Sequence, residues 1–145
     1  MFGFLLQRLR AAADRHRPQH LRDARRGEDL AYRHVRKLGY RVVARNYRAR
    51  HGKGEIDLVA WDQEQLAFVE VKTRSSEEFG APERSVDHRK RQHLIHSALE
   101  YVRRAGVDPR RMRFDIVSVV LASPIRVDLQ KDAFSRRSVF ERKRP

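Results

Sequence analysis

Hydrophobic and polar positions change their period several times along this chain, and each change marks an element. Leu30, Ala31, Val35 and Leu38 fall on one helical stripe, and Gly39 is a natural stop. The spacing predicts a helix over 27–38, with Glu28 on the inward stripe near its start. Residues 40–47 read as a first strand centred on Val42 and Val43, and His51 to Gly54 as a turn. Two apolar strand-like segments follow, 55–61 and 66–73, joined near Asp62 to Gln65. A second helix is predicted over 82–105: Pro82 suits its first turn, and Val86, Leu94, Ala98, Tyr101 and Val102 supply its stripe. Residues 112–121 form a further strand containing Asp115, and alternating Ile125, Val127 and Leu129 mark a short, optional last one. The predicted fold class is α/β, in the order α-β-β-β-α-β.

The middle pair of strands has a predictable register. A symmetric loop centred between Gln63 and Glu64 places Asp57 opposite Glu70, Glu55 opposite Lys72, Val59 opposite Phe68 and Trp61 opposite Leu66. Side chains alternate along a strand, so these eight share one face. The other face holds Ile56, Leu58, Ala60, Ala67, Val69 and Val71, all apolar. Both faces are expected to be covered, as in a sheet packed between helices.

Asp57, Glu70 and Lys72 thus stand in strands where a core would prefer valine. Buried charges are costly unless paired or bound to a metal. Opposed side chains in an antiparallel pair have Cβ atoms roughly 4.5–5.5 Å apart. Two carboxylates at that separation either share a proton or hold a cation between them. Mg²⁺ or Mn²⁺ suits oxygen ligands and leaves positions for water and phosphate. Lys72, two residues beyond Glu70, can assist an attacking water or neutralise charge on a phosphate. The backbone carbonyl of Val71 is a further candidate ligand, and Glu28 can reach the metal from the first helix. The competing reading is a plain Glu55–Lys72 ion pair beside two acids at a wet sheet edge.

Composition sharpens the partner rather than the fold. The 145 residues carry a net charge of +14 and no cysteine, which excludes disulfides and thiolate metal sites. Such a charge points to nucleic acid. The apolar run at Phe2 to Leu6 is too short for a signal segment or a membrane span, so a cytoplasmic protein with no membrane partner is expected. Residues 1–26 hold seven Arg against two Asp, and 134–145 hold five basic residues against one Glu. The two ends read as a basic N-terminal arm, helical or disordered, and a basic tail around a body at 27–133.

Arg45, Asn46, Arg48 and Arg74 are candidate phosphate contacts near the acids. Lys90 falls on the inward side of the second helix, four residues before Leu94, where it can reach substrate. His93 and His96 have helical spacing but no acidic partner, and read as surface histidines. Asp115 reads as structural, paired with an arginine.

The segments GEIDLVA, FVEVKTR, FGAPERSVDHRKRQHLIHSALEYV and RFDIVSV resemble the YraN family of uncharacterised bacterial proteins, over about residues 25–133. That family is similar to restriction-endonuclease-like nucleases and archaeal Holliday-junction resolvases. The resemblance implies a mixed central sheet flanked by helices and a PD-(D/E)-x-K type site. On it, Asp57 stands for the motif aspartate, Glu70-Val71-Lys72 for E-x-K, and Glu28 for the helix-one acid. Ile56 takes the place of the motif proline. The expectation is a Mg²⁺- or Mn²⁺-dependent endonuclease acting on DNA, branched or single-stranded forms included, with a homodimer left open by the resolvase analogy. The alternatives are a nucleic-acid-binding module without turnover and an adaptor in a DNA-processing or ribosomal assembly.

Overall fold

The computed structural model describes residues 18–52, 54–76 and 88–137. Helix α1 (Gln19–Lys37) precedes strands β1 (Arg41–Arg48), β2 (Glu55–Asp62) and β3 (Gln65–Arg74). Helix α2 (His88–Ala105), a 3-10 turn at Pro109–Arg111, β4 (Met112–Val120) and β5 (Arg126–Phe134) complete the order. The strands form one sheet in sequence order, with β3 and β4 parallel and the other neighbours antiparallel. A parallel pair needs a crossover, and the connection runs through α2. The result is a mixed α/β sheet with a helix on each face, consistent with a restriction-endonuclease-like core.

Two apolar layers hold it. On one face Leu94, Ile95, Ala98 and Val102 of α2 pack on Val59, Leu66, Phe68 and Ile116. On the other, Ala31 and Val35 of α1 pack on Leu58, Ala60, Ala67, Val69 and Val117. Each valine or leucine buried in this way contributes about 1.5–3 kcal/mol.

Helix α1 starts at Gln19, not Gly27, so residues 19–26 are not a separate arm. The expected helix began at residue 27, but Gly27 is buried inside the helix for a packing reason. A Cβ there would lie 1.8 Å from Thr73 Oγ1 of β3, so α1 crosses the strand at a spacing only glycine allows. Pro18 precedes the helix, and Gln19 and Asp23 bond across one turn at 2.8 Å. The expected start of the second helix, Pro82 to Val86, lies outside the described residues.

β5 is nine residues long rather than a short, optional strand. Its polar second half hides it from a hydrophobic pattern. Its register with β4 shifts between Phe114 and Ile116, and the Asp132 N–H there donates to Asp115 Oδ1 at 3.0 Å. Asp115, 0% exposed, also accepts from Arg113 Nε at 2.8 Å and from the Tyr40 hydroxyl at 3.0 Å. The structural reading of Asp115, paired with an arginine, is what the fold shows.

The β2–β3 register follows the symmetric loop, with Asp62 opposite Gln65, Trp61 opposite Leu66 and Val59 opposite Phe68. It stops at Leu58 opposite Val69, so the expected Asp57–Glu70 and Glu55–Lys72 rungs are absent from the ladder. Ile56 also changes face: it packs with Val59 and Phe68 beneath α2, not with Leu58 and Ala60. Its partner in β1 is Tyr47, which follows Asn46, a residue at φ 51° inside the strand. A left-handed residue interrupts the two-residue alternation, so Tyr47 and Ile56 both turn toward α2.

Candidate functional site

The end of the β2–β3 ladder makes the site. Past Leu58 the two strands separate, and Asp57 Oδ2 accepts the Val71 N–H at 2.8 Å. A side-chain oxygen stands where a strand carbonyl would otherwise complete the rung. β3 itself does not bend away, because β4 holds it: Glu70 lies beside Ile116, Val71 beside Val117 and Lys72 beside Ser118. Glu70 and Lys72 are therefore fixed on a continuous parallel pair, and Asp57 is tied to them by one hydrogen bond.

Glu70 is only 3% exposed. A buried carboxylate needs compensation, and two lysines supply it. Lys90 Nζ of α2 lies 2.5 Å from Glu70 Oε1, and Lys72 Nζ lies 3.6 Å from the same oxygen. Lys90 reaches it because it stands one helical turn before Leu94, on the stripe that packs against β3. The Glu55–Lys72 pair is not formed: Glu55 bonds instead to Arg48, at 3.2 Å.

Glu28 approaches from α1, on the other side of the opening. It stands next to Gly27, and the close crossing of α1 over Thr73 brings it within electrostatic reach of Asp57 and Glu70. With its nitrogen turned toward them, the Asn46 amide donates to Glu55 Oε1 at 2.8 Å and Glu28 Oε2 at 3.3 Å. Glu28, Asn46 and Glu55 line a cleft of about 720 Å³ together with Arg25, Arg45 and Arg48.

Charge crowding shifts the acids and lysines. Burial, then the charge of Glu70, pushes Asp57 up to about 8, against the opposing hydrogen bond from Val71. Burial, then Glu55, raises Glu28. Burial, then the neighbouring Lys90, lowers Lys72. Burial pulls Lys90 down most, but its bond to Glu70, the Glu70 charge, Lys72 and Asp57 together leave it raised. The raised Asp57 thus reflects its burial first and the nearby Glu70 carboxylate second.

The donors here are hard oxygens: two carboxylates and a peptide carbonyl, with Glu28 nearby. That set suits a small divalent cation bound by one or two carboxylates and completed by water. Among the described residues, no three acidic or histidine side chains form a ready-made metal cluster. Asp57, Glu70 and the Val71 carbonyl could hold such a cation only with water or other ligands completing its shell.

The remaining candidates are placed unevenly. Arg45 is committed to α1, bonded to Asp29 at 2.7 Å and stacked 4.6 Å over the Tyr32 ring. Arg48 is exposed at the cleft edge. Arg74 lies on β3 beyond Lys72 and borders a second cavity with His20, Asp23 and Thr73. His96 is exposed and His93 half-buried against the Gly54 turn. Glu55 and Asn46 as a bridge to Glu28 were not predicted. The signal for Glu55 was its position two residues before Asp57; for Asn46, its ease in the left-handed conformation.

The comparisons with known proteins follow the same segments. A protein of Solibacter usitatus is 54% identical over 136 residues, covering 92% of this chain and all of the relative. A protein of Koribacter versatilis is 42% identical over 118 residues, covering 81% of this chain and 82% of the relative. A third, from Porphyromonas gingivalis, is 40% identical over 129 residues, covering 83% of this chain and 93% of the relative. All three carry the name UPF0102 protein. The family profile matches residues 27–119, which contain Glu28, Asp57, Glu70, Lys72 and Lys90. With that match running from the middle of α1 through β4, the chain belongs to the uncharacterised protein family UPF0102, the YraN family.

Proposed function

We propose that the chain is a Mg²⁺- or Mn²⁺-dependent endonuclease that hydrolyses DNA phosphodiester bonds, branched or single-stranded DNA among its substrates. The observation that carries this reading is the meeting of a buried carboxylate, Glu70, a half-buried one, Asp57, and a lysine where the β2–β3 ladder opens. Asp57, Glu70 and the Val71 carbonyl would hold the cation, with Glu28 supporting it from α1. The cation, when bound, supplies positive charge to the phosphate and acidifies water. Lys72 would hold or take up a proton of the attacking water, and its lowered pKa supports that role by enlarging the neutral fraction. The net charge of +14 supports a polyanionic substrate. No helix among the described residues is long and apolar enough to cross a membrane.

The test uses linear duplex, single-stranded and four-way-branched DNA with Mg²⁺ or Mn²⁺. Asp57→Asn, Glu70→Gln and Lys72→Ala should each lower cleavage at least about a hundredfold, the scale expected of a general acid–base group. DNA affinity measured in EDTA should change by less than about threefold, or 0.65 kcal/mol. Cleavage that survives all three substitutions would remove the assignment.

One observation favours a second reading. Two lysines already neutralise Glu70, as they would in a metal-free binding module. Salt-dependent DNA binding, with no heat of Mn²⁺ binding by calorimetry and no cleavage, would establish that module instead.

A further inference from the structure

Lys90 stands out because its two ends have different surroundings. Its ammonium touches a carboxylate that is 3% exposed, yet its side chain is 46% exposed. Lys72 on the same oxygen is 16% exposed, farther away and fixed on β3 beside Ser118 of β4. Lys90 is thus the nearer and more exposed of the two positive charges on Glu70, and it has a route to solvent.

The charges around the opening explain why that matters. With both acids ionised, Asp57 and Glu70 balance Lys72 and Lys90. A divalent cation entering between the acids would add two positive charges within a few ångströms of an ammonium. It would also compete directly for Glu70 Oε1. The more exposed lysine is the one that can leave at least cost, and a DNA phosphate at the same opening would give it a new partner.

We propose that Lys90 is a resident counter-cation: it occupies Glu70 while the site lacks metal, gives it up when a divalent cation binds, and then holds a phosphate of the bound nucleic acid. This rests on the endonuclease reading, and it assigns a change of partner to one residue of that site. A lysine that only decorates a basic surface would behave the same with and without metal.

Two measurements on the full chain separate these cases. In the first, Mn²⁺ alone is titrated calorimetrically into the wild type, Lys90→Met, Lys90→Gln and Glu70→Gln. Removing the competing ammonium should tighten Mn²⁺ binding on the order of tenfold in both Lys90 variants, and Glu70→Gln should abolish it. In the second, affinity for a single-stranded oligonucleotide is followed against salt, with Lys72→Ala as the background to prevent turnover. Adding Lys90→Met should reduce the salt slope by about one in Mn²⁺ and leave it unchanged in EDTA.

Glu70-dependent Mn²⁺ binding that is unchanged or weaker in both Lys90 variants would overturn the role of Lys90 and leave the endonuclease reading standing. A salt slope that falls equally with and without metal would reduce Lys90 to an ordinary surface contact. Absence of Mn²⁺ binding in every variant, the wild type included, would remove both.

Discussion

Asp57 bears the largest electrostatic cost in the site, and that cost has a pH signature. Its folded-state pKa is pushed to about 8 from an ordinary value of 3.8. Between these values the folded chain keeps a proton that the unfolded chain releases, so stability falls as pH rises. The loss begins above about pH 4 and is complete above about pH 8. Asp57→Asn removes it. In EDTA, the melting temperature of Asp57→Asn should match the wild type near pH 4 and exceed it at pH 8. Each ~1 kcal/mol of relief corresponds to about 3–5 °C for a chain of this size. A difference between the two proteins that stays constant with pH would count against the shift. At this scale the sequence was informative where chemistry and spacing coincide. Glu70 and Lys72 share a face because strands alternate, and Asp57 was conspicuous among apolar neighbours. Lys90 as the partner of Glu70 was only half visible: its stripe could be read, but the meeting of that stripe with β3 is tertiary. Asn46 carried a signal in asparagine's ease in the left-handed conformation, but the apolar pattern around it read as a regular strand.

Between elements, the decisive contact is α1 on β3. Gly27→Ala would drive a methyl group into Thr73, whose Cβ, Cγ2 and Oγ1 all lie within 2.8 Å of the added atom. Such overpacking costs about 1–3 kcal/mol, and relief requires α1 to move away, carrying Glu28 with it. Urea denaturation should show the loss, and Mn²⁺ affinity should fall along with it. Thr73→Ala in the same chain should recover part of both, giving a measurable coupling between the two positions. The Asp115 network is the other strong contact. Arg113→Ala would strand a fully buried carboxylate, and the expected loss is about 3–5 kcal/mol. Tyr40 and Asp62 tie the same arginine into the end of the sheet, and Lys131 bonds Asp62 in turn. Helices and central strands were readable because their apolar periods are long and regular. The early start of α1 was not, because a glycine that permits close packing looks the same in sequence as one that ends a helix. The second half of β5 was not, because Gln130, Lys131 and Asp132 are polar on an edge strand with little to bury.

For the whole molecule, charge and architecture divide the work. The sheet and its two helices build the opening, while a net charge of +14 sets how a polyanion would approach it. Residues 1–17 carry four Arg and one Asp and precede α1. Removing them should lower the salt slope of DNA affinity by roughly one to three. A slope that does not change would mean that phosphate contacts come from the body alone. The sequence could supply the sign and size of the charge, and the element order that puts β3 beside β4. It could not supply the point at which β2 parts from β3, because a continuous ladder and one that opens at Asp57 have the same alternation.

That parting point has a genetic consequence. Asp57 is at once a charged group of the site and the acceptor that closes the last link between β2 and β3 through Val71. Asparagine preserves an oxygen for that link, and a single-base change converts either aspartate codon into an asparagine codon. A lineage could therefore lose the acid and keep the sheet, leaving a well-folded chain with a silent site. Solubility and a cooperative melt would not reveal the difference. Residue 57 itself has to be read, and alanine there would confuse two losses that asparagine keeps apart.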